Sequence, residues 1–396
     1  MKKICILILL FVVSLIVFLT TNTQNVSFAA SYSEGGVSED LSETTNDTLN
    51  DLDLTEYQNF IDSLQDAQGI SIKQLIHAVL HNTSDIDLNY FLKFVFQGII
   101  KQFSSLLPKL AIIITITILF GLLQKLTSDF GKQSTKKLVY IACYGAVLTV
   151  LLYIVSDIII STIKTIDLLS NFADIAFPIL LTLISAMGGN ASVAVYQPLV
   201  LVFSAVIFKI LKLVILPLFY ITFVFGIIGN LSDELKLSKF AKTSKKIAEW
   251  IMGIVFSLFV TFLTAQGITG AGFDSIAAKG AKFALSSYIP VVGNYIKEGF
   301  DIIIAGCLVI KNALGLCSII ILLFIVLMPI LKLVLIIFML RIASAVIEPV
   351  SDSKFSEALY TTSNSLMILV TILVCLFFAM FIFIMMIIYT CNLGVI

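Results

Sequence analysis

The sequence predicts an all-α, polytopic helical membrane protein with an N-terminal signal peptide and a small, partly disordered helical ectodomain. Three observations predict it. Of 396 residues, 59% are hydrophobic and 13% are charged, with a mean hydropathy of +1.06; an ordinary soluble domain is about 45–50% apolar. Apolar runs near the roughly 20 residues of helix that span a bilayer recur from residue 104 onward. Charge is balanced, Lys+Arg 25 against Asp+Glu 25, so no global field marks nucleic acid as a partner. The partner that composition names is the lipid bilayer.

Residues 1–29 have the three parts of a signal peptide. Lys2 and Lys3 supply the positive end, and Ile4 to Leu19 is apolar except for Ser14. Ser27-Phe28-Ala29 then places small residues before a cut after Ala29. The alternative is an uncleaved anchor. In both cases the chain that follows starts outside the cytoplasm.

Residues 30–103 form an extracytoplasmic polar segment. Ser31 to Asp53 is rich in Ser, Thr, Asn, Asp and Glu without apolar periodicity, the composition of a disordered stretch. Helical spacing follows: Tyr57, Phe60, Ile61 and Leu64 share one face. Ser71 can cap a second helix with Ile72, Leu75, Ile76, Val79 and Leu80 on one side. A third face runs from Leu88 to Phe103 and suits either the membrane interface or a partner protein. His77 and His81 lie at i, i+4 on the second helix, a spacing that can hold a metal. Ala78 stands where a metalloprotease helix carries Glu, and no third ligand is nearby, so a solvated face is the reading preferred. The cysteines beyond Cys5 lie in apolar stretches with no metal-ligand spacing, which argues against a disulfide framework and against a cofactor.

Residues 104–396 read as a multi-span body of about eight or nine spans: roughly 104–123, 138–160, 172–187, 195–212, 213–230, 250–268, 302–322, 329–347 and 366–391. The loop 124–137 carries Lys125, Lys132, Lys136 and Lys137, and the loop 231–249 carries Lys236, Lys239, Lys242, Lys245 and Lys246. Both are expected to be cytoplasmic by their lysine excess. Glu348, Asp352 and Glu357 against Lys354 place 348–364 outside. Between 188 and 230 the lysines Lys209 and Lys212 leave open two short spans, or one span and a re-entrant piece.

Charge inside hydrocarbon is costly, so intramembrane polar residues are candidates for function. Lys311, followed by Asn312, lies within the apolar stretch 302–322. It can line a conduit, mark a break between half-helices, or snorkel to a headgroup. Lys209, Lys212, Lys332, Arg341, Asp157, Asp174 and Asp301 read as residues near interfaces. A second candidate is the stretch before it. Ala277, Gly280 and Ala281 give one helical face small residues that permit close helix approach, and Pro290 and Gly293 end it in a turn. That element is either an assembly helix or a helix resting on the bilayer. No carboxylate relay, nucleophile constellation or G-x-x-x-x-G-K-[ST] loop is present, so the chain is read as no enzyme.

Ala281-Lys282-Phe283, Ile289-Pro290-Val291-Val292-Gly293 and Lys311-Asn312-Ala313-Leu314-Gly315, in this order and spacing, resemble the stage III sporulation protein AE family of endospore-forming bacteria. Gly188-Gly189 and Leu231-Ser232-Asp233 extend the likeness over nearly the whole chain. The resemblance implies a subunit of a secretion-like channel complex in the mother-cell membrane around the forespore, acting after engulfment. It implies other stage III sporulation proteins as partners and no catalytic residues. The rival expectation is a secondary transporter for a small solute, with broken helices around a midplane site.

Overall fold

The computed structural model describes residues 45, 48, 49, 52–64, 71–80, 88–127, 133–231, 237–288 and 292–390, with side chains over these except 78–95, 123–137, 204, 230–236 and 266–301. The signal peptide, His81, Pro290 and Cys391 lie outside the described residues.

Two short helices precede the body: α1 (Thr55–Ser63) and α2 (Ile72–Leu80). The body consists of long rods. They are α3 (Leu88–Thr127), α4 (Gln133–Ala186), α5 (Asn190–Val202) continuing into α6 (Leu216–Leu231), α7 (Ser238–Tyr288), α8 (Val292–Ile347) and α9 (Ser353–Tyr389). Among the described residues, six helical stretches are long and apolar enough to cross a membrane. The chain is a multi-pass helical membrane protein.

The rods carry the apolar segments differently from the sequence expectation. Segments 138–160 and 172–187 share the single helix α4, and 302–322 and 329–347 share α8. At 1.5 Å per residue α4 is roughly 80 Å long, well beyond a hydrocarbon core of about 30 Å. The polar residues 161–171 continue the helix because none of them breaks it: Pro and Gly are absent there. Between α5 and α6 the rod stays helical but widens, with π-helical stretches Phe203–Ile207 and Leu211–Ile215. The Leu216 N–H bonds back to the Leu211 carbonyl, and Pro217 falls just after that wider turn. A proline has no N–H to give, and the π turn re-pairs the backbone around it.

Sharp reversals join the rods. After α4, Gly188 adopts φ 84°, the Gly189 N–H bonds to the Ile184 carbonyl at 2.9 Å, and the Gly188 N–H to Ser185 at 2.9 Å. This paired closure of a helix C-terminus needs a left-handed residue, which glycine supplies without strain. Before α9, the Asp352 carboxylate accepts the Lys354 N–H at 3.0 Å and caps the helix.

The rods alternate in direction, so connections gather at two ends. At one end Phe355 packs on Phe120, Tyr140 and Tyr144, with ring centroids 5.0, 5.7 and 5.5 Å apart. The Tyr144 hydroxyl there donates to the Ile227 carbonyl at 3.1 Å. This brings the α8–α9 turn to the end of the bundle where α3 and α6 finish and α4 begins, the helix ends that flank the lysine-rich stretches. The expectation that 348–364 lies on the opposite side is therefore corrected. Acidic residues carry little topological weight, and Asp352 is placed by helix capping. The other end gathers the Gly188 turn and the last turn of α9.

An aromatic layer ties the rods together inside: Phe177 of α4 and Phe383 of α9 stand 4.4 Å apart, and Phe203 meets Phe259 of α7 at 5.0 Å. The helices α8 and α9 form the central antiparallel pair. The Ser344 hydroxyl donates to the Ser356 carbonyl at 2.8 Å, and Arg341 donates to the Asn364 side chain at 3.0 Å. Against this body, α1 docks through Tyr57 and Phe60, which meet Phe172 at 6.0 and 5.5 Å. In α2, Ile72 and Ile76 are buried, as their spacing predicts.

Candidate functional site

Lys311 is 0% exposed, on the face of α8 that meets the end of α9. Its ammonium donates to the Ile388 carbonyl at 2.9 Å and to the Thr390 carbonyl. The last carbonyls of a helix have no partner within it and carry partial negative charge. A buried ammonium in turn requires acceptors. The two needs meet at one point. Thr390 is held there as well: its hydroxyl donates to the Met386 carbonyl at 2.8 Å and shares a 3.0 Å hydrogen bond with the Tyr196 hydroxyl of α5. Three rods thus converge on Lys311.

One turn beyond, on the same face, stands Gly315. A Cβ there would lie 2.5 Å from Cγ1 of Ile388, so the glycine lets α8 and α9 close together. The motif Lys311-Asn312-Ala313-Leu314-Gly315 therefore joins a cation and a close-approach residue on one helical face. The neighbouring Asn312 has a buried side-chain oxygen with no hydrogen-bond partner among the described residues. Helix α8 runs unbroken through position 311, and the side chain is enclosed by protein.

Of the other candidates, Ala277, Gly280 and Ala281 lie on α7, and Gly293 lies in the first turn of α8. Their side-chain surroundings fall outside the description. His77 is exposed on α2. Among the described residues no group of three or more His, Cys, Asp and Glu side chains could hold a metal. The described cysteines Cys143, Cys307, Cys317 and Cys375 are unpaired thiols.

Sequence reasoning missed the pairings of the remaining charges. Lys332 of α8 meets Asp157 of α4 at 3.0 Å, and Lys212 pairs with Asp167 of α4. The Lys109 ammonium lies 4.8 Å from the ring centre of Tyr153. Tyr57 of α1 shares a buried 2.8 Å hydrogen bond with Ser318 of α8. Positions this far apart along the chain carry no sequence signal of their meeting. The one available clue was opposite charge interrupting separate apolar runs.

A search of the solved structures found no match. A curated relative, stage III sporulation protein AE of Bacillus subtilis (strain 168), is 24% identical over 275 residues, 69% of this chain and 69% of its own. The family model described as stage III sporulation protein AE matches residues 70–391, a range that takes in α2 and every rod from α3 to α9. The chain therefore belongs to the stage III sporulation protein AE family.

Proposed function

We propose that this protein is a membrane subunit of a secretion-like channel complex linking mother cell and forespore, required for forespore development after engulfment. The observation that carries this reading is the family match across the whole helical bundle, 70–391. The architecture supports it: polar contacts such as Arg341–Asn364 and Lys332–Asp157 tie rods together. The charge of Lys311 is satisfied by the end of α9, which suits an assembly residue better than a solute-binding one. The partners are other stage III sporulation proteins, and the site of action is the mother-cell membrane around the forespore. The lysine-rich end of the bundle faces the cytoplasm, and the segment carrying α1 and α2 faces outside. Energy for any transport comes from another subunit.

Deletion in the host tests this. Vegetative growth is expected to be normal and sporulation to stop after engulfment. A deletion strain that completes sporulation, or that fails only on one nutrient, overturns the reading, the second result favouring a solute transporter.

A further inference from the structure

We propose that the outward face of α4 from Asp157 to Asp174 borders water, as one wall of a vestibule that opens at the Gly188-turn end and closes at the Asp157–Lys332 pair. This deepens the conduit reading and rests on its sidedness.

Tyr153, Asp157, Ile160, Lys164, Asp167, Asn171 and Asp174 are separated alternately by four and three residues, which sets them on one seam of the helix. All are exposed except Asp167, whose side chain is 48% accessible. From Asp157 to Asp174 the seam runs about 25 Å along the bundle, at 1.5 Å per residue. Asp157 and Asp167 meet Lys332 and Lys212, whereas Lys164 and Asp174 carry charge to the exposed face. Such charges facing hydrocarbon are strongly unfavourable, and intramembrane charges face cavities or partners instead.

The opposite side of the bundle at the same height is different. The Phe177, Phe203, Phe259 and Phe383 layer fixes that height, since Asp174 lies one turn from Phe177 and Leu258 adjoins Phe259. There α7 exposes Leu258 at 66% and Phe262 at 49%. The cross-section is therefore charged on the α4 side and apolar on the α7 side. That is the distribution of a wall with water on one side and lipid on the other.

Contacts at both ends bound the wall. At its open end, α1 rests on Phe172 and turns Glu56, Asn59 and Asp62 outward, so the polar surface continues. At its closed end, Asp157 pairs with Lys332, and the Lys109 ammonium lies 4.8 Å from the ring centre of Tyr153. Beyond these, toward the lysine-rich loops, α4 exposes Ile141 and Leu138.

The test uses the full chain in the membrane of intact cells, with Cys5, Cys143, Cys307, Cys317, Cys375 and Cys391 replaced. Single cysteines are placed by Lys164→Cys, Asn171→Cys, Asp174→Cys, Leu258→Cys, Phe262→Cys and Thr149→Cys, all at exposed positions. The probe is a charged, membrane-impermeant maleimide added outside. The three α4 seam positions are expected to label at least about tenfold faster than the α7 positions, because thiolate forms only where water reaches. Thr149→Cys, beyond the closing pair, is expected to stay unlabelled. Equal rates on the two faces overturn the proposal, whether both are fast or both are slow. Labelling of Thr149→Cys at the seam rate overturns the closed end. These rates do not depend on sporulation, so a deletion strain that sporulates would sink the conduit reading without altering them.

Discussion

The ammonium of Lys311 stands 2.9 Å from the Ile388 carbonyl, so the charge in the middle of α8 caps the end of α9. The two residues lie far apart in sequence, and each satisfies a need that its own helix cannot. This pairing and its neighbours yield the expectations below.

Replacing Lys311 with Met keeps an unbranched side chain, one atom shorter, and removes its donors. Two carbonyls at the end of α9 then lose their partner, at about 1–3 kcal/mol for each unsatisfied buried group. Thermal unfolding of the purified protein in detergent is expected to occur at lower temperature, with cleavage by protease appearing first beyond Met386. A variant as stable as the parent and equally resistant would show that the cap contributes nothing.

Glycines at two helix crossings should behave unlike a third in open space. A Cβ at Gly121 would collide with the backbone carbonyl of Val350, which no rotamer change can relieve. At Gly315 the obstacle is the side chain of Ile388, which can turn aside. At Gly145 nothing lies within 4 Å. Gly121→Ala is expected to destabilise most, by about 1–3 kcal/mol of overpacking. Gly315→Ala should cost less. Gly145→Ala should be neutral or stabilise by up to about 1 kcal/mol through helix propensity. Denaturation midpoints of the three variants give the ranking directly.

The docking of α1 depends on Tyr57. Tyr57→Phe removes one hydrogen bond, while Ser318 keeps its 2.7 Å bond to the Leu314 carbonyl, so the loss is about 1 kcal/mol. Tyr57→Ala also empties a buried aromatic site, at about 3–5 kcal/mol. Limited proteolysis should find α1 protected in the first variant and open in the second. Equal protection in both would mean that other contacts hold α1.

The start of α1 is expected to be acid-sensitive at one residue. The Thr55 hydroxyl and the Thr55 N–H, the latter at 3.1 Å, hold the Asp53 carboxyl below the usual carboxylate range. A lowered folded value means that the stabilisation is present above the unfolded value of about 3.9. It is lost as pH falls through the lower folded value. Hydrogen exchange at the Thr55 amide should therefore accelerate, relative to its neighbours, only at strongly acid pH. In Asp53→Ala it should be fast throughout, with no such step.

Asp157 and Lys332 offer a test by exchange of charge. The pair stands 3.0 Å apart, with the aspartate side chain 53% and the lysine 18% accessible. Asp157→Lys or Lys332→Asp alone places like charges together between α4 and α8, and each is expected to lower the melting temperature. The double exchange should recover most of that loss. If it recovers nothing, the pairing has no energetic weight, as is common for exposed ion pairs.

The sequence by itself determined the class of the protein, its helical body and the register of its amphipathic faces. Hydrophobic periodicity is local, so Tyr57, Phe60 and Ile61 could be assigned to a buried face before any partner was known, and they are buried. Helix continuity was harder to read, because a polar stretch such as 161–171 looks like a loop between spans. Only the tertiary structure decided that α4 runs through it, where neighbouring rods supply Lys212 to Asp167 and Lys332 to Asp157. The same holds at Lys311. Its burial and its charge were visible as a conflict in the sequence, and the resolution lies at Ile388 and Thr390, on a helix that only packing brings near. The turn 348–352 was misplaced for a related reason. Asp352 caps α9, whereas the side of the bundle on which the turn lies is fixed by Phe355 among Phe120, Tyr140 and Tyr144. Local patterns set what each segment can become; contacts between distant segments set which charges, carbonyls and ends meet.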